Sequence, residues 1–333
     1  MPNHPRRANT IAVHSVDRFV FSVPDLAEAK RFYDAFGLDV REEGESLTLR
    51  TFDKVRGDMA GGGTSNGGGG HVWAQVFQGG TKRKFEYVTF GIYPEDEAAF
   101  VQRIAASGLQ REAHPLAARK GGIWFTAQDG LVVQLLVAPK VSPGVKSPHD
   151  VSAPMVAQGN APSRSKTPRV HPRHLSHILF FVSDVPAAMK QFSDLLGIRL
   201  SDHSGPGIAF MHGAHGSDHH LVAFAHSDGL GLHHSSWDVG SINEVGAGAE
   251  FMKGQGYERG WGVGRHVLGS NYFYYVRDPW GGHAEYSFDI DFIPAEVDWP
   301  AADHPPEDSL YVWGPALPPD FIVNYETAQT AAT

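Results

Sequence analysis

Asp17-Arg-Phe-Val-Phe-Ser-Val-Pro-Asp25 can be laid over Ser176-His-Ile-Leu-Phe-Phe-Val-Ser-Asp184, which begins 159 residues later. Each copy is a short apolar run, the pattern of a buried strand, and each ends in a turn that carries Asp. A helical stretch follows in both and closes on a related phrase. In the first copy this is Arg31-Phe-Tyr-Asp-Ala-Phe-Gly-Leu38; in the second it is Gln191-Phe-Ser-Asp-Leu-Leu-Gly-Ile198. Gly37 and Gly197 suit the left-handed residue that ends a helix.

The correspondence runs on. Tyr87–Ile92 matches His234–Val239, and Ile123–Gly130 with Val132–Val137 matches Phe273–Pro279 with Ala284–Ile290. Helices are expected over Glu95–Ser107 and Ile242–Gln255. The repeat therefore predicts an α+β fold of two tandem domains, each made of two βαβββ-like modules, four in all. The expected boundaries are 1–138 for the first domain, 139–171 for a Pro/Ser-rich linker, 172–295 for the second domain and 296–333 for a tail packing on it. Gly61–Gly70, inside the glycine-rich stretch 57–80, has the composition of a phosphate cradle. It lacks the Gly-Lys-Ser/Thr ending and no helix pattern follows, so a hairpin tip or surface loop is expected.

Composition narrows the function. The chain has 333 residues, 41 % apolar and 20 % charged, which excludes a disordered or collagen-like protein. The net charge of −9, from 28 basic and 37 acidic residues, argues against nucleic-acid and anionic-membrane partners. The absence of cysteine removes disulfides, Cys-ligated zinc, iron–sulfur clusters and Cys nucleophiles. Met1–Asp17 has no apolar run of the kind a signal peptide needs, and no stretch approaches the ~20 apolar residues of a membrane span. A cytoplasmic protein is expected. Of 19 histidines, 14 lie after residue 170, which points to imidazole chemistry in the second half.

The repeat itself singles out a candidate metal site. His177, His234 and Glu285 occupy strand positions whose counterparts in the first half are Arg18, Tyr87 and Gln134, none of them a good ligand for a divalent transition metal. Two neutral imidazoles and one carboxylate make a facial triad that leaves other coordination positions open. This is the pattern of non-haem Fe(II) oxygen chemistry. Zinc or manganese could take the same ligands.

Gly264-Arg-His-Val-Leu-Gly-Ser-Asn-Tyr-Phe-Tyr-Tyr-Val-Arg-Asp-Pro-Trp-Gly-Gly-His-Ala-Glu285 resembles the signature of the type I extradiol ring-cleaving dioxygenases of the vicinal oxygen chelate superfamily. Tyr274 stands where an aliphatic residue or Phe is usual. The resemblance implies the fold already inferred, with metal in the C-terminal domain. It places His177, His234 and Glu285 at the iron-ligand positions, with the second histidine of the His233-His234 pair as the ligand. His266 and Tyr275 match the motif residues that hydrogen-bond substrate oxygens. Asp218-His-His-Leu-Val-Ala-Phe224 resembles the segment bearing the acid–base histidine, with His220 a better match than His219.

The function so implied is extradiol (meta) cleavage of a catechol-type diol by O2 in aromatic catabolism. It requires Fe(II), or alternatively Mn(II), and no NAD, flavin or thiol. The partners expected are a small aromatic diol, O2 and further copies of the chain. Two other readings remain open on the residues. One is a glyoxalase-like isomerase or thiol transferase on the same fold; the other is a non-catalytic binder of aromatic ligands.

Overall fold

The computed structural model describes residues 6–52, 70–150, 156–157 and 159–327. Most of the glycine-rich stretch lies outside the described residues. In the first half the elements run β1 (Ser15–Val23), α1 (Leu26–Phe36), β2 (Asp39–Glu43), β3 (Ser46–Arg50), β4 (Val72–Gln78), β5 (Lys84–Ile92), α2 (Glu97–Ser107), β6 (Ile123–Thr126) and β7 (Val132–Val137). The second half repeats them: β8 (His174–Val182), α3 (Val185–Leu196), β9 (Arg199–Ser204), β10 (Ile208–His212), a short β11 (Ser217–Asp218), β12 (Val222–His226), β13 (Gly231–Asp238), α4 (Ile242–Gly254), β14 (Gly260–His266), β15 (Tyr272–Arg277) and β16 (His283–Phe288). Three short strands, β17 (Phe292–Ile293), β18 (Ala302–Asp303) and β19 (Tyr311–Trp313), follow, with the one-turn helix α5 (Pro306–Ser309) between the last two.

The repeated turn residues act locally as their chemistry dictates. Asp25 caps α1 by accepting from the amides of Ala27 and Glu28, and Asp184 caps α3 by accepting from Ala187. Gly37 ends α1 at φ 101° with its Cα against the Val170 carbonyl, where a Cβ would lie 2.1 Å from the oxygen. Only glycine fits both demands. Gly197 closes α3 in the same left-handed conformation.

Each half is built on one large mixed sheet, and β11 pairs with β17 in a separate two-stranded sheet. The first has the order β2-β3-β4-β1-β5-β7-β6, and the second has β18-β9-β10-β12-β8-β13-β16-β15-β14-β19. In both, the opening strand sits at the centre, parallel to the strand that ends its own module and antiparallel to the one that opens the next. Three modules are complete. In the second module of the first half, the strand expected after the helix is reduced to one bridge, Gln110 to Phe125.

The halves share a continuous apolar core. Tyr286 stacks on Phe36 with ring centroids 4.0 Å apart, and its hydroxyl donates to the Phe36 carbonyl at 2.7 Å. Side chains alternate along a strand, so Tyr286 anchors β16 to the first half while Glu285 faces the other way. The described residues that open the segment between the halves are fastened to both: the Val141 and Ser142 amides donate to Ser15, and Lys146 donates to the Ile290 carbonyl. Among the described residues no helix is long and apolar enough to cross a membrane.

Candidate metal centre and active site

The sheet register assembles the centre from three adjacent strands. His177 on β8 lies opposite Ser236 on β13, and Ser236 lies opposite Glu285 on β16. His234 sits two residues before Ser236 and so shares its face. The result is a buried cluster of His177, His234 and Glu285 whose ligand atoms all lie within 4.8 Å of one another. Glu285 Oε2 is 3.4 Å from His177 Nε2 and 3.6 Å from His234 Nε2.

His234 Nε2 and Glu285 Oε2 are both buried without a hydrogen-bond partner. A bare imidazole nitrogen and a bare carboxylate oxygen in a dry interior are costly unless something else occupies them. Their mutual distances and donor types fit a divalent metal ion. Electrostatics keep both in the ligating form. Burial, reinforced by repulsion from His233 and His177, pushes the His234 pKa well below its usual value. For Glu285, burial acts to raise the pKa, but the neighbouring polar groups of His177, His266 and Ser236 outweigh it and hold the carboxyl below its usual value.

Neighbouring groups set the ring tautomers. His233 Nε2 lies 2.8 Å from the Phe321 carbonyl, an acceptor only, so it must donate there. A neutral His233 then offers Nδ1 as an acceptor, 2.7 Å from His234 Nδ1. His234 must donate from Nδ1, which leaves the lone pair on Nε2, the atom that faces Glu285. On the other side the Ser176 hydroxyl donates to buried Asp218 at 2.7 Å and lies 3.3 Å from His177 Nδ1, where it can accept. Glu285 Oε1 is fixed by Asn271 Nδ2 at 3.1 Å. Such partners orient the ligands of a metal and are part of the site.

His220, His266 and Tyr275 gather around this cluster. The His220 ring is 3.9 Å from that of His177 and 4.9 Å from Phe210. His266 Nδ1 donates to the Leu310 carbonyl at 2.8 Å, so its Nε2 accepts from the Tyr275 hydroxyl at 2.9 Å. Burial raises the Tyr275 pKa well above its usual value, with the negative Glu285 adding to it, so the phenol stays protonated as a donor. The adjoining cavity, about 120 Å³, is walled by apolar side chains including Leu179, Phe181, Phe210, Trp261, Leu268 and Phe321. Among the described residues that line it there is no lysine or arginine.

The first half places other residue types at the corresponding positions. Arg18, Tyr87 and Gln134 fall at the same register positions, since Arg18 lies opposite Thr89 and Thr89 opposite Gln134. Gln134 is fully occupied: it accepts from Thr89 at 2.7 Å and donates to the carbonyls of Arg119 and Gly121. Tyr87 packs on Trp124. The sequence reading missed Ser176, Asn271 and the two tail carbonyls. The doubled histidines at 219–220 and 233–234 were the available signal that His220 and His234 each have an imidazole beside them.

The chain belongs to the Glyoxalase/Bleomycin resistance protein/Dioxygenase superfamily, whose family model matches residues 15–135 and 174–286. Within it the chain falls among the extradiol ring-cleaving dioxygenases, which are metal-dependent enzymes. It is 46 % identical over 315 residues to Metapyrocatechase 2 of Cupriavidus necator, covering 95 % of this chain and 93 % of that one. It is 23 % identical over 249 residues to a manganese-dependent 2,3-dihydroxybiphenyl 1,2-dioxygenase of Geobacillus genomosp. 3, covering 68 % and 74 %. The fold also matches an extradiol ring-cleaving dioxygenase from B. fuscum with a TM-score of 0.70 at 18 % identity, covering 96 % of this chain and 83 % of that one.

Proposed function

We propose that the chain opens the ring of a catechol beside its hydroxyls with O2, using Fe(II) held by His177, His234 and Glu285. The observation that carries this reading is the pair of bare ligand atoms, His234 Nε2 and Glu285 Oε2, buried beside an apolar cavity. Two imidazoles and a carboxylate on one side of an ion leave positions for both reactants, which favours Fe(II). Mn(II) suits the same donors, and the Geobacillus relative is manganese-dependent by name.

When bound, the ion supplies a Lewis-acidic meeting point for the diol and O2 and acidifies the diol hydroxyls. The protein does the rest. His220 takes a proton from the diol and later returns it. Tyr275 and His266 form a hydrogen-bonded pair that holds a substrate oxygen in place. The apolar walls orient the ring and exclude water.

Those walls also define the substrate class. The cavity is of the order of the ~150 Å³ cavity that takes up benzene, so it suits one ring. With no cation on its walls, it favours an unsubstituted or alkyl-substituted catechol over a carboxylated one, whose charge would be buried unpaired. In keeping with the resemblance, the active form is an assembly of more than one chain. The test is anaerobic loading with Fe(II), then O2 uptake with catechol, 3-methylcatechol and 3,4-dihydroxybenzoate. Uptake with the first two and a yellow ring-opened product are expected. Uptake with none of them refutes the reading, and preference for the carboxylate refutes the substrate class.

A further inference from the structure

A chain of polar contacts leads away from His220 to the edge of the fold. His220 Nδ1 is 3.1 Å from His219 Nδ1, and His219 Nε2 is 2.8 Å from Asp202 Oδ2 on β9. His219 is wholly buried, and its ring meets Trp299 edge-on and Phe210 at an angle. Asp202 is held from the tail by three donors: Trp299 Nε1 at 3.2 Å, the Ala302 amide at 3.0 Å and His304 Nε2 at 3.1 Å. The mechanism above uses neither His219 nor Asp202 nor the tail groups that hold Asp202.

The order of donors follows from Asp202, whose carboxylate only accepts. His219 therefore donates from Nε2, a neutral His219 accepts at Nδ1, and His220 donates from its own Nδ1. That leaves His220 Nε2 with a lone pair and a base's task. A positive charge on His219 would face the Asp202 carboxylate at hydrogen-bond distance. Burial acts to raise the Asp202 pKa, but hydrogen bonds from His219, the Ala302 amide and His304 outweigh it, so the carboxyl is ionised.

We propose that His219 and Asp202 are positioning and proton-relay residues for His220. The inference rests on the reading of His220 as the acid–base residue. As the diol O–H bond breaks and an N–H bond forms at His220 Nε2, the Nδ1–H bond of His220 breaks and one forms at His219 Nδ1. His220 stays neutral, the charge rests on His219 against Asp202, and no electrons are transferred beyond the proton's bonds. The reverse shift returns the proton. The arrangement parallels an Asp–His pair that steadies an imidazolium, with a second imidazole interposed.

The experiment is steady-state kinetics with catechol on the metal-loaded full chain, with metal content measured on the same samples. Four variants are compared: His219→Leu, His219→Asn, Asp202→Asn and His220→Phe. Asn at position 219 keeps an acceptor for His220 but cannot take up a proton. The relay predicts that kcat falls about 10- to 100-fold in both His219 variants and in Asp202→Asn. Metal content should be unchanged and KM should move less than about threefold, the split expected when ground-state binding is intact. Wild-type kcat in His219→Asn would overturn the relay and leave orientation alone. Metal loss in step with kcat would overturn it by showing structural support only. Slow turnover in His220→Phe beside unaffected His219 variants would overturn the relay while keeping the acid–base reading. Undiminished turnover in His220→Phe would remove that reading itself.

Discussion

His233 Nδ1 lies 2.7 Å from His234 Nδ1, and this contact fixes which nitrogen of His234 is free to bind a metal. Because the Phe321 carbonyl holds the other side of His233, His234 cannot move its proton to Nε2 without losing one of these two hydrogen bonds. His233→Leu is expected to weaken metal affinity about 10- to 100-fold, the range seen when such outer partners are removed. Metal titration of the folded variant checks it; unchanged affinity would show that His233 does nothing for its neighbour.

Removing a ligand should act more strongly. His234→Ala and Glu285→Ala are each expected to fold and to hold little metal. Added Fe(II) should raise the wild-type melting temperature, as any ligand specific for the native state does, and leave the variants where they were. Normal metal content in either variant would refute the ligand assignment.

The site and the fold were legible to different depths. The capping aspartates Asp25 and Asp184 and the closing glycines Gly37 and Gly197 act within their own turns, so local chemistry reveals them. His177, His234 and Glu285 stood out because the chain carries its own control: Arg18, Tyr87 and Gln134, none of them a good ligand type for a divalent transition metal, occupy the same register in the first half. Long-range partners left no such trace. His219 meets Asp202 across 17 residues, His266 meets Leu310 across 44, and His233 meets Phe321 across 88. The first of these pairings is decided by how β9 packs beside the His219 segment and the other two by how the tail crosses the sheet, and no local period encodes either. The strand reduced to Gln110 was likewise invisible, since its loss depends on what the neighbouring strand can pair with.

The tail offers a separate test. Residues 310 and 321 supply carbonyl acceptors to two site histidines, and Leu310, Leu317, Phe321 and Ile322 wall the cavity. Glu326 fastens this segment by accepting from the amides of Phe85 and Leu232. Truncation after Asp303 should leave a cooperatively folding protein whose kcat/KM for catechol falls at least about tenfold, since a water-exposed site loses preorganisation. Full activity in the truncated chain would show that the tail is dispensable.

Acid should destabilise the metal-free protein well above the carboxylate range. Burial is the main cause that lowers His14 to about 4 and His212 to about 3, against 6.5 in the unfolded chain. Between these limits the unfolded state binds more protons, so stability falls as pH drops below 6.5. Each ring withdraws on the order of 1.4 kcal/mol per pH unit across its window. The urea midpoint should be lower at pH 5 than at pH 7, and equal midpoints would contradict the buried neutral state of these rings.

The most direct measurement is the fate of isotopic oxygen when the Fe(II)-loaded protein meets catechol under 18O2. Both labelled atoms should appear in one ring-opened product cut beside the diol, with no product from Glu285→Ala. A product without label, or one cut between the two hydroxyls, would contradict an extradiol oxygenase built on His177, His234 and Glu285.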